Sequence, residues 1–204
     1  MVSFQRVAIG TRGSGSEYPE SRIVALLARA ADEFGDVTIR VGTVGETAKR
    51  QLDEIRRLGV GKEAPEITGK DQDGREFRLG DYRGKVVLLY FWSEYCLTCR
   101  TLWPHERELV KRLEKRPFVM LGVNSWTHEA GELAQVLKRE DLPWRTFDDR
   151  SGEINRQWNF PATPAVYLID HRGVIRRKWV GKPGEKSLDA AVLRILDEAE
   201  RERR

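Results

Sequence analysis

The chain has 204 residues, 40% of them hydrophobic and 33% charged, with a net charge of +4. That much apolar material excludes a disordered chain, and the interleaving of basic with acidic residues, as in KREDLPWRTFDDR, leaves no basic stripe to mark a nucleic-acid partner. Two cysteines exclude a disulfide scaffold, and the longest wholly apolar run, Val86 to Trp92, falls far short of the ~20 residues of a membrane-spanning helix.

The N-terminal stretch MVSFQRVAIGTRGSGSEYPES lacks the apolar core and cleavage site of a signal peptide. As written, the chain is expected to stay in the compartment where it is made, unless it is part of a longer exported protein. Ser21 is expected to cap an amphipathic helix, with Ile23, Val24, Leu27, Ala30, Ala31 and Phe34 on one face and Gly35 ending it. A β-branched segment, VTIRV, follows. A second helix over ETAKRQLDEIRRLG has Ala48, Leu52 and Ile55 as its seam and Gly59 as its C-cap. Residues 1–60 thus read as a helical appendage, structural or partner-binding, that needs something to pack on.

From Gly61 the pattern becomes regular, and residues 61–204 read as one domain. Asp73-Gly74 signals a hairpin turn. KVVLLYFW suits a strand buried on both faces. Leu102, Leu109, Val110 and Leu113 mark a helix ending near Pro117, FVMLGVN a second buried strand, and EAGELAQVLKRED a helix with Leu133, Val136 and Leu137 inward. PAVYLID and VIRRKWVG form strands of a hairpin turned by DHRG. The last helix has Ser187 as N-cap and buries Leu188, Val192, Ile195 and Leu196. A parallel βαβ crossover followed by an antiparallel hairpin and a helix predicts an α/β fold, one mixed sheet flanked by helices.

Both cysteines lie where the first buried strand gives way to a helix. Cys96 at the helix start places its sulfur near N–H groups that stabilise a thiolate. In Cys-x-x-Cys motifs the thiol pKa falls from about 8.5 to between about 3.5 and 7.5. Cys96 is expected to be the exposed nucleophile and Cys99, one turn on, the buried thiol that resolves a mixed disulfide. Pro104 is expected to kink the helix and leave its first turn semi-independent. Zinc needs two more ligands, and His105, His128 and His171 do not supply second-pair spacing. Inert buried thiols stay open as an alternative. Pro164 stands directly before a buried strand, where a cis Thr163–Pro164 bond would turn backbone groups toward the cysteines; only about 5–6% of X-Pro bonds are cis.

FWSEYCLTCR, Pro104, and Thr163-Pro164 before a strand together resemble the thioredoxin superfamily. The frame from GKEAPEITGKDQDGREF to LIDHRGVIRRKWVG is similar to its TlpA/ResA-type branch, grouped with alkyl hydroperoxide reductase/thiol-specific antioxidant domains. The resemblance implies a thioredoxin-like fold over residues 61–204, Cys96 as nucleophile, Cys99 as resolving thiol, Pro164 as cis-proline, and Thr163, Tyr95 and Trp92 on the substrate side. No cofactor or metal is implied. Tyr95 replaces the family's usual Trp, and Leu102 and Tyr90 occupy two positions where relatives carry a carboxylate. Glu94 reads as a solvated strand-end carboxylate, and Asn124 and Ser125 as loop termination. Trp126, Trp144, Trp158 and Trp179 read as core or rim packing, and His105 and His128 as surface residues.

The function implied is a thiol-disulfide oxidoreductase, reducing disulfides in partner proteins with electrons from a thiol donor. A bacterial extracytoplasmic setting is implied if the chain is a fragment. Two alternatives stand beside it. A thiol peroxidase would need the P-x-x-x-T/S-x-x-C pattern, in which Ser93 fits the hydroxyl but Leu89 replaces the proline. The other is a non-catalytic docking module.

Overall fold

The computed structural model describes residues 20–124, 126, 129, 131–159 and 162–203. The expectations for Ser125 and His128 lie outside them. In chain order the elements are α1 (Glu20–Phe34), α2 (Val44–Leu58), β1 (Thr68–Lys70), β2 (Glu76–Arg78), a 3₁₀ turn (Leu79–Tyr82), β3 (Val86–Trp92), α3 (Leu97–Arg100), α4 (Trp103–Arg112), β4 (Phe118–Asn124), α5 (Glu132–Arg139), β5 (Arg145–Asp148), α6 (Glu153–Trp158), β6 (Ala165–Ile169), β7 (Ile175–Val180) and α7 (Glu185–Glu202).

The main sheet has the order β5-β4-β3-β6-β7. β4 runs parallel to β3 and β5, whereas β6 runs antiparallel to β3 and β7. β3 is buried along its whole length, and its alternation divides the interior in two. Val86, Leu88, Tyr90 and Trp92 face a layer built from α4, α5 and α7. Val87, Leu89 and Phe91 face the other side, where Phe77 of β2, Trp158 of α6 and Leu58 of α2 pack. Helices therefore cover both faces of one mixed sheet, as the sequence predicts.

Several details differ. β5 and α6 are additional elements; each is too short for its periodicity to stand out from a loop. The β-branched segment VTIRV, for which the sequence gives no element, makes a single bridge between Thr38 and Thr43. Ser21 lies inside α1 rather than capping it, and Ser187 lies inside α7, whose N-cap is Gly184. Phe34 is exposed, so the predicted apolar face of α1 is only partly covered. α2 begins two residues before its predicted start because Thr43 and Glu46 form a capping box.

α2 is the N-terminal helix that reaches the sheet. Leu58 is buried in the second core layer, and Glu54 pairs with Lys178 of β7. Arg57 donates to the carbonyl of Gln157 at 2.9 Å. The β1–β2 hairpin turns at Asp73-Gly74, with Gly74 at φ +80°. It is held by Asp71, whose carboxylate accepts from Arg75 N, Asp73 N and the Arg145 guanidinium.

Candidate active site

β3 delivers its chain end at the carboxyl edge of the sheet, and the cysteines follow at once. Cys96 is the N-cap of α3, in extended backbone, and its Sγ accepts a hydrogen bond from Cys99 N at 3.1 Å. Cys99 is fully buried, whereas Cys96 is half-buried. The two form a disulfide with a Cα–Cα distance of 5.2 Å. The helix breaks after Arg100 and restarts at Trp103 with Pro104 in its first turn. Pro104 thus begins a new helix, where its missing N–H costs nothing, and the cysteine turn stands apart from α4.

Thr163–Pro164 is a cis peptide bond. β6 pairs with β3 so that Ala165 lies opposite Phe91. Carrying that register on brings Pro164 beside Trp92 and Thr163 beside Ser93, three residues before Cys96. The topology, not the sequence order, brings these segments together.

The remaining aromatic residues divide. Tyr95 is 63% exposed and its ring lies 4.7 Å from that of Trp126, itself 50% exposed. With Leu97, 79% exposed, they make an apolar rim around the half-buried sulfur. Trp92 does not share this rim. It is buried and meets Trp103 edge-on at 5.8 Å, so it lies behind the cysteines as packing rather than on the substrate side. Trp144, Trp158 and Trp179 are buried in the core.

Glu94 is buried, not solvated. Its Oε2 accepts from Asn124 Nδ2 at 3.1 Å, and Asn124 Oδ1 accepts from Trp126 N at 2.9 Å. Asn124 ends β4 opposite Trp92 in the parallel register, which is why its amide reaches the strand end. This chain of bonds ties the backbone of Trp126, whose ring meets Tyr95, to the strand ends. A polar residue closing a buried parallel strand was the one visible signal for it. Ser93 Oγ accepts from Tyr95 N at 3.2 Å, and Leu89 is buried in mid-strand. His105 pairs with Asp189 at 2.9 Å and is half-buried rather than superficial; His171 pairs with Glu202 at 2.9 Å. Among the described residues no group of three or more His, Cys, Asp or Glu lies where it could hold a metal ion.

Glu106 gave no signal in the sequence beyond its place on a helix. It is buried on α4, at the spacing that follows the buried Cys99, Leu102 and Trp103. Burial pushes its carboxyl up to about 8. Tyr90 is raised as well, first by burial and then by the nearby Glu106 charge.

A mixed sheet of this order, a strand-end Cys-x-x-Cys held as a disulfide and a cis-proline opposite define a thioredoxin-fold protein with a redox-active cysteine pair. Residues 60–178 match the model of the AhpC/TSA family, and the chain belongs to that family. It is 25% identical over 158 residues to the thiol-disulfide oxidoreductase ResA of Bacillus thuringiensis subsp. konkukian, covering 77% of this chain and 91% of that protein. Among solved structures, the thioredoxin domain of thiol-disulfide oxidoreductase BVU-2223 from Bacteroides vulgatus superposes with a TM-score of 0.59 at 24% identity, over 67% of this chain and 97% of that one. The pneumococcal exposed lipoprotein thioredoxin Etrx1 of Streptococcus pneumoniae superposes with a TM-score of 0.55 at 24% identity, over 64% of this chain and 99% of that one.

Proposed function

We propose that this thiol-disulfide oxidoreductase reduces or exchanges disulfides in partner proteins through a Cys96/Cys99 cycle. The observation that carries the reading is the asymmetry of the pair: Cys96 half-exposed at a helix N-cap, Cys99 buried behind it. In the reducing direction the Cys96 thiolate attacks one sulfur of a substrate disulfide. This forms a mixed disulfide and releases the first substrate thiolate. Cys99, as thiolate, then attacks Cys96 Sγ, closing the Cys96–Cys99 disulfide and releasing the second substrate thiolate. The substrate gains two electrons and the enzyme loses two. A thiol donor restores the dithiol by the reverse exchange.

In this reading Thr163 and Pro164 present backbone to the bound substrate strand, and Tyr95 lines its approach. Residues 61–204 act as the thioredoxin-like domain, with 1–60 as an appendage docked through α2. An extracytoplasmic setting accords with the resemblance to ResA-type proteins. No helix among the described residues is long and apolar enough to cross a membrane.

The test is an equilibrium titration of the cysteine pair against glutathione and dithiothreitol, together with insulin reduction by the wild type, Cys96→Ser and Cys99→Ser. A reversible two-electron transition is expected. Cys96→Ser should abolish turnover, and Cys99→Ser should trap a mixed disulfide on Cys96. Cys96 should also alkylate much faster than Cys99 in the reduced protein. No transition in the wild type, or equal alkylation rates, overturns the assignment.

A further inference from the structure

Glu106 is a buried carboxylate that takes no part in the catalytic cycle described above. Glu106 is 1% exposed, and neither of its carboxylate oxygens has a hydrogen-bond partner among the described residues. Leaving a buried carboxylate unsatisfied is costly, and at such a position a leucine would pack without that cost. Its place is specific. Cys99, Leu102, Trp103 and Glu106 follow the i, i+3, i+4, i+7 spacing of one inward face across α3 and α4, and all four are buried. Across the break between α3 and α4, Leu102 N still donates to Cys99 O at 2.9 Å and Glu106 N to Leu102 O at 3.0 Å, and two such turns of about 5 Å each set Glu106 on the order of 10 Å from Cys99.

The surroundings of Glu106 hold few other charges. From β3 the Tyr90 hydroxyl faces it. β4, α5 and α7 give this layer apolar residues, among them Met120, Val136 and Val192, and the buried carboxylate of Glu94 accepts from Asn124 at the end of β4. On the flanking segments, Asp189 of α7 pairs with His105 and Arg112, and Glu140, the C-cap of α5, pairs with Arg100. The charge that changes near Glu106 during the cycle is therefore that of the cysteine pair.

We propose that Glu106 is a redox-linked proton site of the Cys96–Cys99 centre, binding a solvent proton when the pair is reduced and releasing it on reoxidation. The inference rests on the redox function proposed above. Reduction breaks the S–S bond with an electron pair from a donor dithiol, which itself becomes a disulfide. With Cys96 left as thiolate and Cys99 as thiol, the centre gains one negative charge. That charge raises the proton affinity of Glu106, so over a window of pH one further proton enters with the electron pair. By reciprocity, ionised Glu106 disfavours the thiolate and hence the reduced state. At ~10 Å and an effective dielectric of ~20, the coupling corresponds to about one pH unit. The window opens near pH 8, where burial places the carboxyl in the oxidised protein. Glu106 acts on the sulfurs through the field and touches neither, so it is a positioning residue.

The experiment measures the equilibrium constant for reduction by dithiothreitol from pH 6 to 10 in the full-length wild type and Glu106→Gln. The ratio of wild type to variant should be flat below about pH 8, fall about tenfold over the next one to two pH units, and level off. A ratio that does not depend on pH overturns the proposal while leaving the redox function intact. Absence of a two-electron transition in the wild type overturns both. The wild type alone also decides the matter if the variant does not fold. Its reduced-minus-oxidised infrared difference spectrum at pH 8.5 should gain a protonated-carboxyl band, and a spectrum without one refutes the coupling.

Discussion

Asp71 and Glu106 are both buried carboxylates, and they load the stability of the protein in opposite directions with pH. Burial alone would raise Asp71, but hydrogen bonds from Arg75 N, the Arg145 side chain and Asp73 N outweigh it and hold the group below the usual range. Its contribution is present above the unfolded-state value and is lost as the pH falls through the folded one. Glu106 has no such donors, and its folded value is raised from 4.5 to about 8. The folded protein keeps a proton that the unfolded chain surrenders, so stability declines as the pH climbs from about 4.5 to about 8. Across that window the loss is at most about 5 kcal/mol. Urea denaturation of the oxidised protein at pH 5 and pH 9 should show Glu106→Gln gaining several kcal/mol on the wild type at the higher pH; parallel pH dependences would contradict the burial argument. At the rim, Tyr95→Ala and Trp126→Ala should each raise the KM for a protein disulfide by about fivefold, the equivalent of about 1 kcal/mol, without moving the reduction potential. A shifted potential with unchanged KM would assign these rings to the redox centre instead.

The elements legible in the sequence were those with long, unbroken patterns. β3 and β4 are continuous apolar runs, and α5 and α7 carry clear inward stripes. β5 has four residues and α6 six, less than two helical turns, and α6 starts from Gly152 in a left-handed conformation rather than from a recognisable cap. Their identity comes from tertiary pairing: Phe147 of β5 stacks on Phe77 at 3.8 Å, and α6 buries Trp158 against Phe91 and Tyr167. Close approach also hides in the sequence. A Cβ at Gly122 would fall 2.5 Å from Thr146 Oγ1 and 2.6 Å from Trp92 Nε1, so β4 passes beneath these side chains only as glycine. Gly122→Ala should cost about 1–3 kcal/mol, read as a lower urea midpoint; an unchanged midpoint would mean the neighbours yield freely.

For the whole molecule, the two N-terminal helices are held unevenly. α1 packs on α2, and α2 reaches the domain through Leu58 and the Glu54–Lys178 pair. Leu58→Ala should lose about 2–5 kcal/mol, a fall in Tm of roughly 4–20 °C at about 2–4 °C per kcal/mol. Removing residues 1–35 should leave Tm within a few degrees, since α1 lies outside both core layers. Equal losses from the two changes would show α1 to be part of the fold's support.

By itself the sequence determined the strand-to-helix placement of the cysteine pair, the buried central strands and the resemblance that names their fold, because these rest on local spacing and periodicity. It also marked Pro164 before its strand. Which residues share the site was decided only by the tertiary structure. Asn124 meets Glu94 because two parallel strands end at one edge, and the same Asn124 side chain accepts from Trp126 N, whose ring meets that of Tyr95. Trp92 turns inward and Glu106 is sealed from solvent for the same reason: burial depends on what packs over a residue, and spacing along the chain does not record it.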